Sequence, residues 1–293
     1  MADTTYTTVS SAPVGVLAHI REVWEYRELL TGLVRKELKV KYKNSSLGFL
    51  WSMLNPALYL VVFYLVFQVF LGSGIPRFPI YLLSGLLVWN FFGTSLGAST
   101  GSITANSSLV NKVFFPRTIL PLAAVGAALV HFFLQAFVLL GALAVFRQPV
   151  PWSYLWLIIP ALAVLLVFTA SLGILLGAIN VYARDTQHLL ELVVLAWMWL
   201  TPIVYQFQLV AGQLAERDLP RWLALLNPIT PIILCFQRGI YGTVEAGGIA
   251  ILPDESQWWY LRNVAVVGLV SMVLLSVAVR VFDRLQGNFA EEL

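Results

Sequence analysis

Charged residues and cysteines are both scarce in this chain. Only 11% of its 293 residues are charged, while 59% are hydrophobic, a composition far from that of soluble proteins. A single cysteine, Cys235, excludes an internal disulfide and a zinc site built from several thiolates. The three histidines (His19, His131 and His188) are too widely spaced to indicate a metal site. These shortages predict an integral membrane protein that binds no metal.

The sequence also lacks the features by which ATP-driven and ion-driven transporters are usually recognised. It contains no G-x-x-x-x-G-K-S/T loop, so the chain cannot bind ATP as P-loop proteins do. The first three apolar segments contain no Asp, Glu, Lys or Arg, although a transporter driven by an ion gradient usually keeps such groups inside the membrane. His131 lies there, and we interpret it as a hydrogen-bond partner in helix packing. A formal net charge of +3 predicts no binding to nucleic acid.

Six apolar segments are long enough to cross the roughly 30 Å hydrocarbon core of a membrane. They lie at about 48–71, 80–103, 118–146, 154–181, 189–206 and 261–282. A further apolar stretch at 219–241 is interrupted by Pro228 and Pro231 and closed by Arg238, which predicts two short helices that enter the membrane and return. The predicted fold is an all-α integral membrane protein, with a transmembrane domain of six helices over 47–293.

The distribution of Lys and Arg predicts how the chain is threaded through the membrane. With six spans, twelve of the 18 Lys and Arg residues fall on the side that holds both termini, and six fall on the other side. Both termini are therefore expected in the cytoplasm. The segment 207–260 is expected on the outer side.

A basic stretch precedes the first span. Five cations fall between Arg35 and Lys43, with one acid, Glu37, among them. Residues 21–46 separate apolar from charged side chains at a helical period, so we expect an amphipathic helix in the membrane interface, after an N-terminal tail over 1–20. The cations could set the topology and contact anionic lipid, or they could bind a charged substrate. Both interpretations stay open.

The loop 104–117 between the second and third spans has a short apolar face that includes Leu109, Phe114 and Phe115. Pro116 ends this face, and we predict a short cytoplasmic helix. Such a helix could rest on the bilayer surface. Alternatively, Phe114 and Phe115 could insert into a groove on a partner protein, as helix-in-groove contacts do.

Aromatic residues make up 13% of the chain. Four of them are expected deep in the membrane, namely Tyr59, Phe63, Trp197 and Trp199. They either pack against lipid and helices or line a conduit for sugars, whose apolar faces stack on aromatic rings. The sequence leaves these two roles open.

One polar cluster has residue types that enzymes use. It consists of Arg184, Asp185, His188 and Glu191, and Asp185 and His188 would share a helix face. A helix N-cap and a topology-setting arginine explain the cluster better, because no partner carboxylates occur elsewhere on that side. The chain is therefore predicted not to be an enzyme.

Four sequence blocks follow one another over roughly residues 28–242. They read "RKELKVKYKNSSLGFLWSMLNPALYLVVFYLVF", "YLLSGLLVWNFFGTSLGASTGSITANSSLVNKVFFPRTILPL", "NVYARDTQHLLELVVLAWMWLTPIVY" and "LNPITPIILCFQRGIYG". Together they resemble the membrane (permease) subunits of ABC-2-type exporters that move O-antigens, teichoic acids and other polysaccharides. Residues 1–20 and 245–260 show no such match.

The resemblance implies a homodimer of this chain with two copies of a separate ATP-binding subunit. ATP and magnesium would bind to that subunit, and this chain would hold no cofactor. The implied substrate is a polysaccharide linked to polyprenyl diphosphate, exported from the cytoplasmic to the outer side of a bacterial plasma (inner) membrane.

The resemblance also implies roles for individual residues. The substrate headgroup would contact Arg35, Lys39, Lys41 and Lys43. The helix that couples transport to the ATPase would use Asn111, Lys112, Val113, Phe114, Phe115 and Arg117. The pore would be lined by Tyr59, Phe63, Trp197 and Trp199. An outer gate would be formed by Asn227, Pro228, Pro231 and Arg238.

The glycan itself is not specified by the sequence. An O-antigen, a teichoic acid and a cell-wall galactan all fit, and overall resemblance slightly favours the galactan. Two alternative functions also remain: ABC-2-type export of drugs or small lipids, and a membrane glycosyl- or phosphotransferase.

Overall fold

The computed structural model of the chain describes residues 15–43 and 45–293, and 76% of the chain is helical. Residues 1–14 of the predicted tail and Asn44 of the basic stretch lie outside these ranges. The helices are α1 (Val16–Glu25), α2 (Arg27–Tyr42), α3 (Leu50–Phe63), α4 (Phe78–Ala105), α5 (Ser107–Val110), α6 (Ile119–Val145), α7 (Trp152–Leu155), α8 (Ile158–Tyr182), α9 (Asp185–Trp199), α10 (Phe207–Glu216), α11 (Ile229–Ile240), α12 (Gln257–Leu285) and α13 (Phe289–Glu292).

Five short elements complete the described fold. A π-helix (Tyr64–Phe70) extends α3, and 3₁₀ turns occupy Arg221–Leu225 and Gln286–Asn288. Strands β1 (Glu245–Ala246) and β2 (Ile249–Ala250) form an antiparallel hairpin. Its turn uses Gly247 and Gly248 at φ 59° and 80°, values that residues with a Cβ rarely adopt.

Within residues 15–43 and 45–293, five helical segments are long and apolar enough to span a membrane. They are Leu50–Phe70, Phe78–Ala105, Ile119–Val145, Trp152–Tyr182 and Gln257–Asn288. We call Leu50–Phe70 the first span. The predicted span at 189–206 overlaps α9, which begins earlier, at Asp185, and whose 15 residues measure about 22 Å, less than a membrane core. The count of six spanning helices therefore remains a prediction.

The segment that contains α9 nevertheless runs along most of α4. Near its start, Gln187 lies against Gly101, where a Cβ added to the glycine would be 3.1 Å from the Gln187 Oε1 atom. Near its end, the Tyr81 hydroxyl donates a 2.8 Å hydrogen bond to the carbonyl oxygen of Tyr205. The distance along α4 from Gly101 to Tyr81 is about 30 Å, which supports a crossing that is completed by the bends after α9.

Two groups of connections mark the two ends of the bundle. At the first end, His19 of α1 is 2.8 Å from the Thr118 hydroxyl, and Arg117 donates to the carbonyl of Gln286 after α12. At the second end, Gln148 accepts a 2.8 Å hydrogen bond from Arg77 and donates one of 2.7 Å to the carbonyl of Tyr241. The N-terminal helix and the C-terminal end of α12 thus share one end of the bundle, which we call the terminal end.

The predicted interface helix over 21–46 is divided into α1 and α2. Tyr26 separates them, with φ −93° and ψ 21° outside the α-helical region. Helix α2 then packs on α6, where Val34 lies so close to Gly126 that a Cβ there would be 2.9 Å from a Val34 methyl carbon. Leu33 is buried in the same region. Tertiary packing against α6 therefore holds α2.

The segment after α9 contacts Tyr81 of α4 at both of its ends. The Tyr81 hydroxyl bonds to Tyr205, and the Tyr81 ring also packs edge-on against Tyr241, with ring centroids 5.5 Å apart. Helices α10 and α11 lie between these two contacts. The chain between 205 and 241 therefore begins and ends beside one residue of α4.

The prediction of two proline breaks in this segment is wrong in detail. Pro228 directly precedes α11, but Pro231 lies inside its first turn. The first backbone N–H groups of a helix have no intrahelical acceptor, so a proline there removes no hydrogen bond. Helix α11 consequently continues through Pro231, and all twelve of its residues are buried.

Candidate functional site

Three cavities adjoin one another along one face of α4. The end cavity, of about 450 Å³, lies at the terminal end and is lined by Thr104, Ser107, Asn180, Arg184, Gln187, His188 and Leu293. The central cavity, of about 670 Å³, shares Thr104 and Gln187 with it. The aromatic cavity, of about 310 Å³, shares Gly97 with the central cavity and reaches Trp89. We call the three together the groove, which follows α4 for about 22 Å.

Glycines form the floor of this groove. Gly93, Gly97 and Gly101 are four residues apart and therefore share one face of α4. A Cβ on Gly97 would meet no atom within 4 Å, so the floor is open there. The absence of three side chains from one face gives the groove its depth.

The walls of the groove come from α2, α3, α6 and α9. The aromatic cavity lies between Tyr59 of α3 and a row of α9 residues that includes Leu190, Val194 and Met198. The ring of Tyr59 stacks on Phe63, with centroids 6.1 Å apart. The aromatic cavity is therefore mainly apolar and aromatic, with Glu191 also in its lining, whereas polar side chains line the end cavity.

One of the four predicted pore residues lines the groove. Tyr59 does so, while Phe63 continues the aromatic stack away from it. Trp197 packs against the Phe92 ring at 5.2 Å and donates a 2.9 Å hydrogen bond to Asn227, so it is tied into the bundle. Trp199 is 52% exposed on the outside of α9. Neither tryptophan is among the residues that line the three cavities.

The predicted headgroup cations are not brought together. Lys41 lines the central cavity, and burial lowers the pKa of its ammonium group. Arg35, Lys39 and Lys43 are exposed and line none of the three cavities. Alternate residues of a helix point in opposite directions, so Lys39 and Lys41 cannot face one cavity. The lining residues Glu37, Val40 and Lys41 instead follow the helical period.

Lys36, which lies outside the predicted headgroup set, makes a specific contact. Its ammonium group donates a 2.6 Å hydrogen bond to the side-chain oxygen of Asn106, just after α4. Asn106 in turn donates to the carbonyl of Ser102 at 2.8 Å. Both Asn106 and Ser102 line the central cavity, so this contact ties α2 to its rim. Because Lys36 and Asn106 are 70 positions apart, no local sequence pattern predicts this contact.

His131 joins three elements beside the central cavity. The hydroxyl groups of Tyr42, at the end of α2, and of Ser52, early in α3, each lie 2.9 Å from its Nδ1 atom. Such a hydrogen-bonded histidine fits the predicted role in helix packing. The contact holds the interface helix and the first span against α6.

The predicted coupling loop divides into exposed and buried parts. Asn111, Lys112 and Val113 are exposed, and Phe114 is fully exposed. Phe115 is only 8% exposed because it packs into the cluster that contains Leu33 and Ile119. The prediction that both phenylalanines insert into a partner is therefore corrected, since Phe115 already has a site within its own chain.

Arg117 is also directed inward. Its guanidinium group donates to the carbonyl of Gln286 and lies 5.8 Å from the centre of the Phe289 ring. These contacts fasten the loop to the region after α12. The part of the predicted coupling site that remains free is the stretch from Asn111 to Phe114.

The predicted gate residues stabilise the ends of α11. Asn227 accepts a 3.1 Å hydrogen bond from the backbone N–H of Ile229 and donates one of 2.8 Å to the Thr201 hydroxyl. Arg238 is buried, with its guanidinium carbon 4.1 Å above the Tyr154 ring and a hydrogen bond to the carbonyl of Gly242. Asn227 therefore fixes the start of α11, and Arg238 fixes its end.

The Arg184 cluster separates into two faces. Arg184 and His188 line the end cavity, whereas Asp185 and Glu191 do not. Among the described residues, no group of three or more His, Cys, Asp or Glu side chains could hold a metal ion. The end cavity thus presents cationic and neutral polar groups.

Comparison with known proteins places these features in a family context. The profile of the ABC-2 type transporter family matches residues 28–241 of the chain. The O-antigen export system permease protein RfbA of Myxococcus xanthus is 34% identical over 275 residues, which cover 94% of this chain and 98% of that protein. The protein of the same name from Klebsiella pneumoniae is 29% identical over 269 residues, covering 91% of this chain and 95% of that protein.

A third similarity is partial. The polysialic acid transport protein KpsM of Escherichia coli is 31% identical over 81 residues, which cover 27% of this chain and 31% of that protein. The region matched by the family profile contains nearly all of α2 and every helix from α3 to α11. It therefore includes most of the groove.

Proposed function

The chain belongs to the ABC-2 type transporter family, and from that membership we propose that it is the permease of an exporter that moves a polysaccharide carried on a polyprenyl diphosphate lipid. It is a transport subunit, and ATP is hydrolysed by a separate protein. We assign no cofactor to this chain, with ATP and magnesium bound by that partner. Transport runs from the cytoplasmic to the outer side of the bacterial inner membrane.

The continuous groove along α4 is the observation that carries this proposal. Its polar terminal end suits a hydrophilic substrate, and the aromatic cavity at its other end, which is mainly apolar but also lined by Glu191, offers surfaces on which sugar rings can stack. A glycan in the membrane also needs shielding from lipid, because buried hydroxyl groups without partners cost several kcal/mol each. The groove provides one side of such a path.

A second copy of the chain would close the other side. The first span forms one wall, and only 6% of its 18-residue apolar stretch is buried within the chain, so its outer face is available for a neighbour. Two grooves that face each other across a two-fold axis would form one pore. We therefore propose a homodimer that is completed by two copies of the ATP-binding subunit.

The proposed conduit has an inner entrance and an outer gate. We place the terminal end in the cytoplasm, as the excess of Lys and Arg around the termini supports. Lys41 would meet the diphosphate at the central cavity, while Arg35, Lys39 and Lys43 contact the anionic lipid surface. Helices α10 and α11 would be re-entrant on the outer side, which is supported by the contacts of both Tyr205 and Tyr241 with Tyr81.

The exposed stretch from Asn111 to Phe114 is our proposed contact with the ATPase. The fully exposed ring of Phe114 would be stabilised by insertion into a groove on the other protein. The contacts of Arg117 and Phe115 with the rest of the chain would pass a displacement of this stretch to α2 and α12.

Depletion of the chain from cells tests the function. We expect lipid-linked polysaccharide to accumulate in the cytoplasmic leaflet, and proteoliposomes that contain the permease with its ATPase to move the glycan in an ATP-dependent manner. Proteoliposomes with a Walker-A lysine variant of the ATPase are the control. An unchanged distribution of glycan on depletion, together with transport of small amphiphiles instead, would contradict the proposal.

A further inference from the structure

The end cavity holds a buried polar atom without a partner. Asn180, near the end of α8, lines this cavity and is only 2% exposed. Its Oδ1 atom makes no hydrogen bond within the part of the chain that the structure describes. A buried amide oxygen without a partner costs roughly 1–3 kcal/mol, so such atoms usually meet water or a ligand. The end cavity is where that partner would sit.

The same cavity contains side chains that bind phosphate. Arg184, Gln187 and His188 occupy positions i, i+3 and i+4, so they project from one face of the first turn of α9. Arg184 forms no ion pair with any described acid, since the ion pairs within the described ranges are His19–Glu22 and Arg21–Glu25. The N-terminus of a 15-residue helix also carries a partial positive charge.

The position of the cavity relates it to the conduit. Thr104 and Gln187 line both the end cavity and the central cavity, so the two spaces adjoin. Lys41 and Glu37 also line the central cavity. A ligand bound beside Arg184 would therefore lie at the entrance of the groove, and the adjoining central cavity would offer a second cation, Lys41.

We propose that the end cavity is a binding site for a phosphorylated sugar, in which Arg184 contacts the phosphate oxygens and Asn180 accepts a hydrogen bond from a sugar hydroxyl. This inference rests on the proposed function, because it identifies the ligand as the diphosphate-linked end of the exported glycan. It also assigns recognition to the start of α9 in addition to Lys41 of α2. An arginine suits this role because its guanidinium group binds phosphate oxygens in pairs.

The test uses the full chain in nanodiscs with its ATPase subunit, and two probes. One probe is a short-chain polyprenyl diphosphate N-acetylglucosamine, and the other is inorganic pyrophosphate; binding is measured by isothermal titration calorimetry. Arg184→Gln should raise the Kd of the lipid-linked probe at least about tenfold, because a charge-assisted hydrogen bond is lost. Arg284→Gln removes an arginine of α12 that lines none of the three cavities and should leave the Kd unchanged.

Asn180→Leu separates a ligand-binding role from a structural one. Leucine has the same branched side-chain skeleton and removes the amide oxygen that lacks a partner, so the thermal midpoint should stay the same or rise. The Kd of the lipid-linked probe should still rise several-fold, because the hydrogen bond to the sugar is lost. If Arg184→Gln and Asn180→Leu both bind this probe as the parent does, the inference is overturned.

The second probe distinguishes the source of the phosphate and keeps the two proposals apart. Pyrophosphate binding that depends on Arg184 would support a phosphate site that also accepts free anions, whereas Arg184-dependent binding of the lipid-linked probe alone would support a site specific for the substrate. Pyrophosphate binding needs no export activity. A chain that fails the depletion test but shows Arg184-dependent binding would retain the phosphate site and lose the proposed function.

Discussion

Two neighbouring helical segments of this protein, the first span and α4, differ in how much of each is buried within the chain. The 18-residue apolar stretch of the first span has a mean hydropathy of 1.8, and 6% of it is buried within the chain. The corresponding 18-residue stretch of helix α4 is less hydrophobic, with a mean hydropathy of 1.3, yet 78% of it is buried. In a soluble protein the more apolar segment would be expected inside. Here the less apolar one forms the centre of the bundle.

The difference follows from the solvent. Lipid tails are as apolar as leucine, so hydrophobicity does not drive one helix against another, and close packing and hydrogen bonds do so instead. Helix α4 is rich in small residues, and at Ser99 it approaches α8 so closely that a Cβ on Gly173 would be 2.7 Å from the Ser99 Cβ. Ser99 also donates a 3.0 Å hydrogen bond to the carbonyl of Pro121. The first span has few such residues and keeps an outer face free.

Matched leucines test this contrast most strongly. Leu86 of α4 is 1% exposed, and Leu65 of the first span is 45% exposed. We expect Leu86→Ala to lower the free energy of unfolding by about 4 kcal/mol, because a cavity is left in the packed bundle. Leu65→Ala should change it by less than about 0.5 kcal/mol. Unfolding of each variant in mixed micelles measures both values.

Equal losses for the two variants would contradict the contrast between these segments. A loss at Leu65 that appears only at high protein concentration would have another meaning. It would sharpen the comparison, because it would show that a second copy covers the first span.

The adjacent residues Phe114 and Phe115 of the coupling loop show the same contrast between an exposed and a buried side chain. Phe115→Ala should lower the free energy of unfolding by about 3 kcal/mol, because its ring is buried beside Leu33 and Ile119. Phe114→Ala should leave stability unchanged, since its side chain is fully exposed. Chemical unfolding measures the stability, and the ratio of ATP hydrolysed to glycan exported measures the coupling. Normal coupling in Phe114→Ala would rule out its ring as an anchor for the ATPase.

The groove face of α4 differs from its buried faces in having open space. Gly97→Phe should therefore fold normally, since a Cβ on Gly97 meets nothing within 4 Å, but its ring would narrow the conduit. We expect export of the glycan to fall by about tenfold or more. This corresponds to at least about 1.4 kcal/mol at the transport barrier. The initial rate of export into proteoliposomes is the measurement.

Gly141→Phe on α6 is the matched control. A Cβ on Gly141 also meets nothing within 4 Å, and this residue lines none of the three cavities. Export at the parental rate in the Gly97 variant would show that the groove is not the path of the glycan.

The smallest expected effect concerns Lys41 at the side of the groove. Burial lowers the pKa of Lys41 in the folded chain below the ordinary lysine pKa that it has in the unfolded chain. At a pH between these two pKa values, the unfolded chain therefore binds more protons than the folded chain. Stability should therefore rise with pH through this window and level off above about pH 10.4. The gain should be small because Lys41 stays partly exposed.

Lys41→Gln should remove this part of the pH dependence, and Lys39→Gln, an exposed lysine on the same helix, should not. Thermal unfolding between about pH 8 and pH 10.5 measures both variants. The same slope in Lys41→Gln and in the parent would show that Lys41 is not desolvated by the cavity.

Much of the architecture could be predicted from the sequence. Runs of about 20 apolar residues indicated the first span, α4, α6, α8 and α12 because the membrane core sets a minimum length for a crossing helix. The short helices before α12 were indicated by prolines. The position of Pro231 was misjudged, because a proline in a first turn and one that breaks a helix look the same without knowledge of where the helix begins.

The candidate site could be predicted less well. The polar cluster at Arg184 was interpreted from the sequence as a helix N-cap and a topology-setting arginine. Its relation to Asn180 and Thr104 depends on contacts between α4, α8 and α9 that no local pattern encodes. Trp197 illustrates the same difficulty. Its residue type and depth fit a pore residue, yet its N–H is taken up by Asn227, which is 30 residues away.

The sequence by itself determined that this chain crosses a membrane and that it lacks a P-loop. These properties depend on composition and on spacing within one segment. Only the tertiary structure decided which faces meet: that Phe115 is buried while Phe114 is exposed, and that Lys41 faces the groove while Lys39 does not. The physical reason is that lipid accepts any apolar face equally well, so hydrophobicity does not specify the neighbour of a helix, and the close fit of small and hydrogen-bonding residues does.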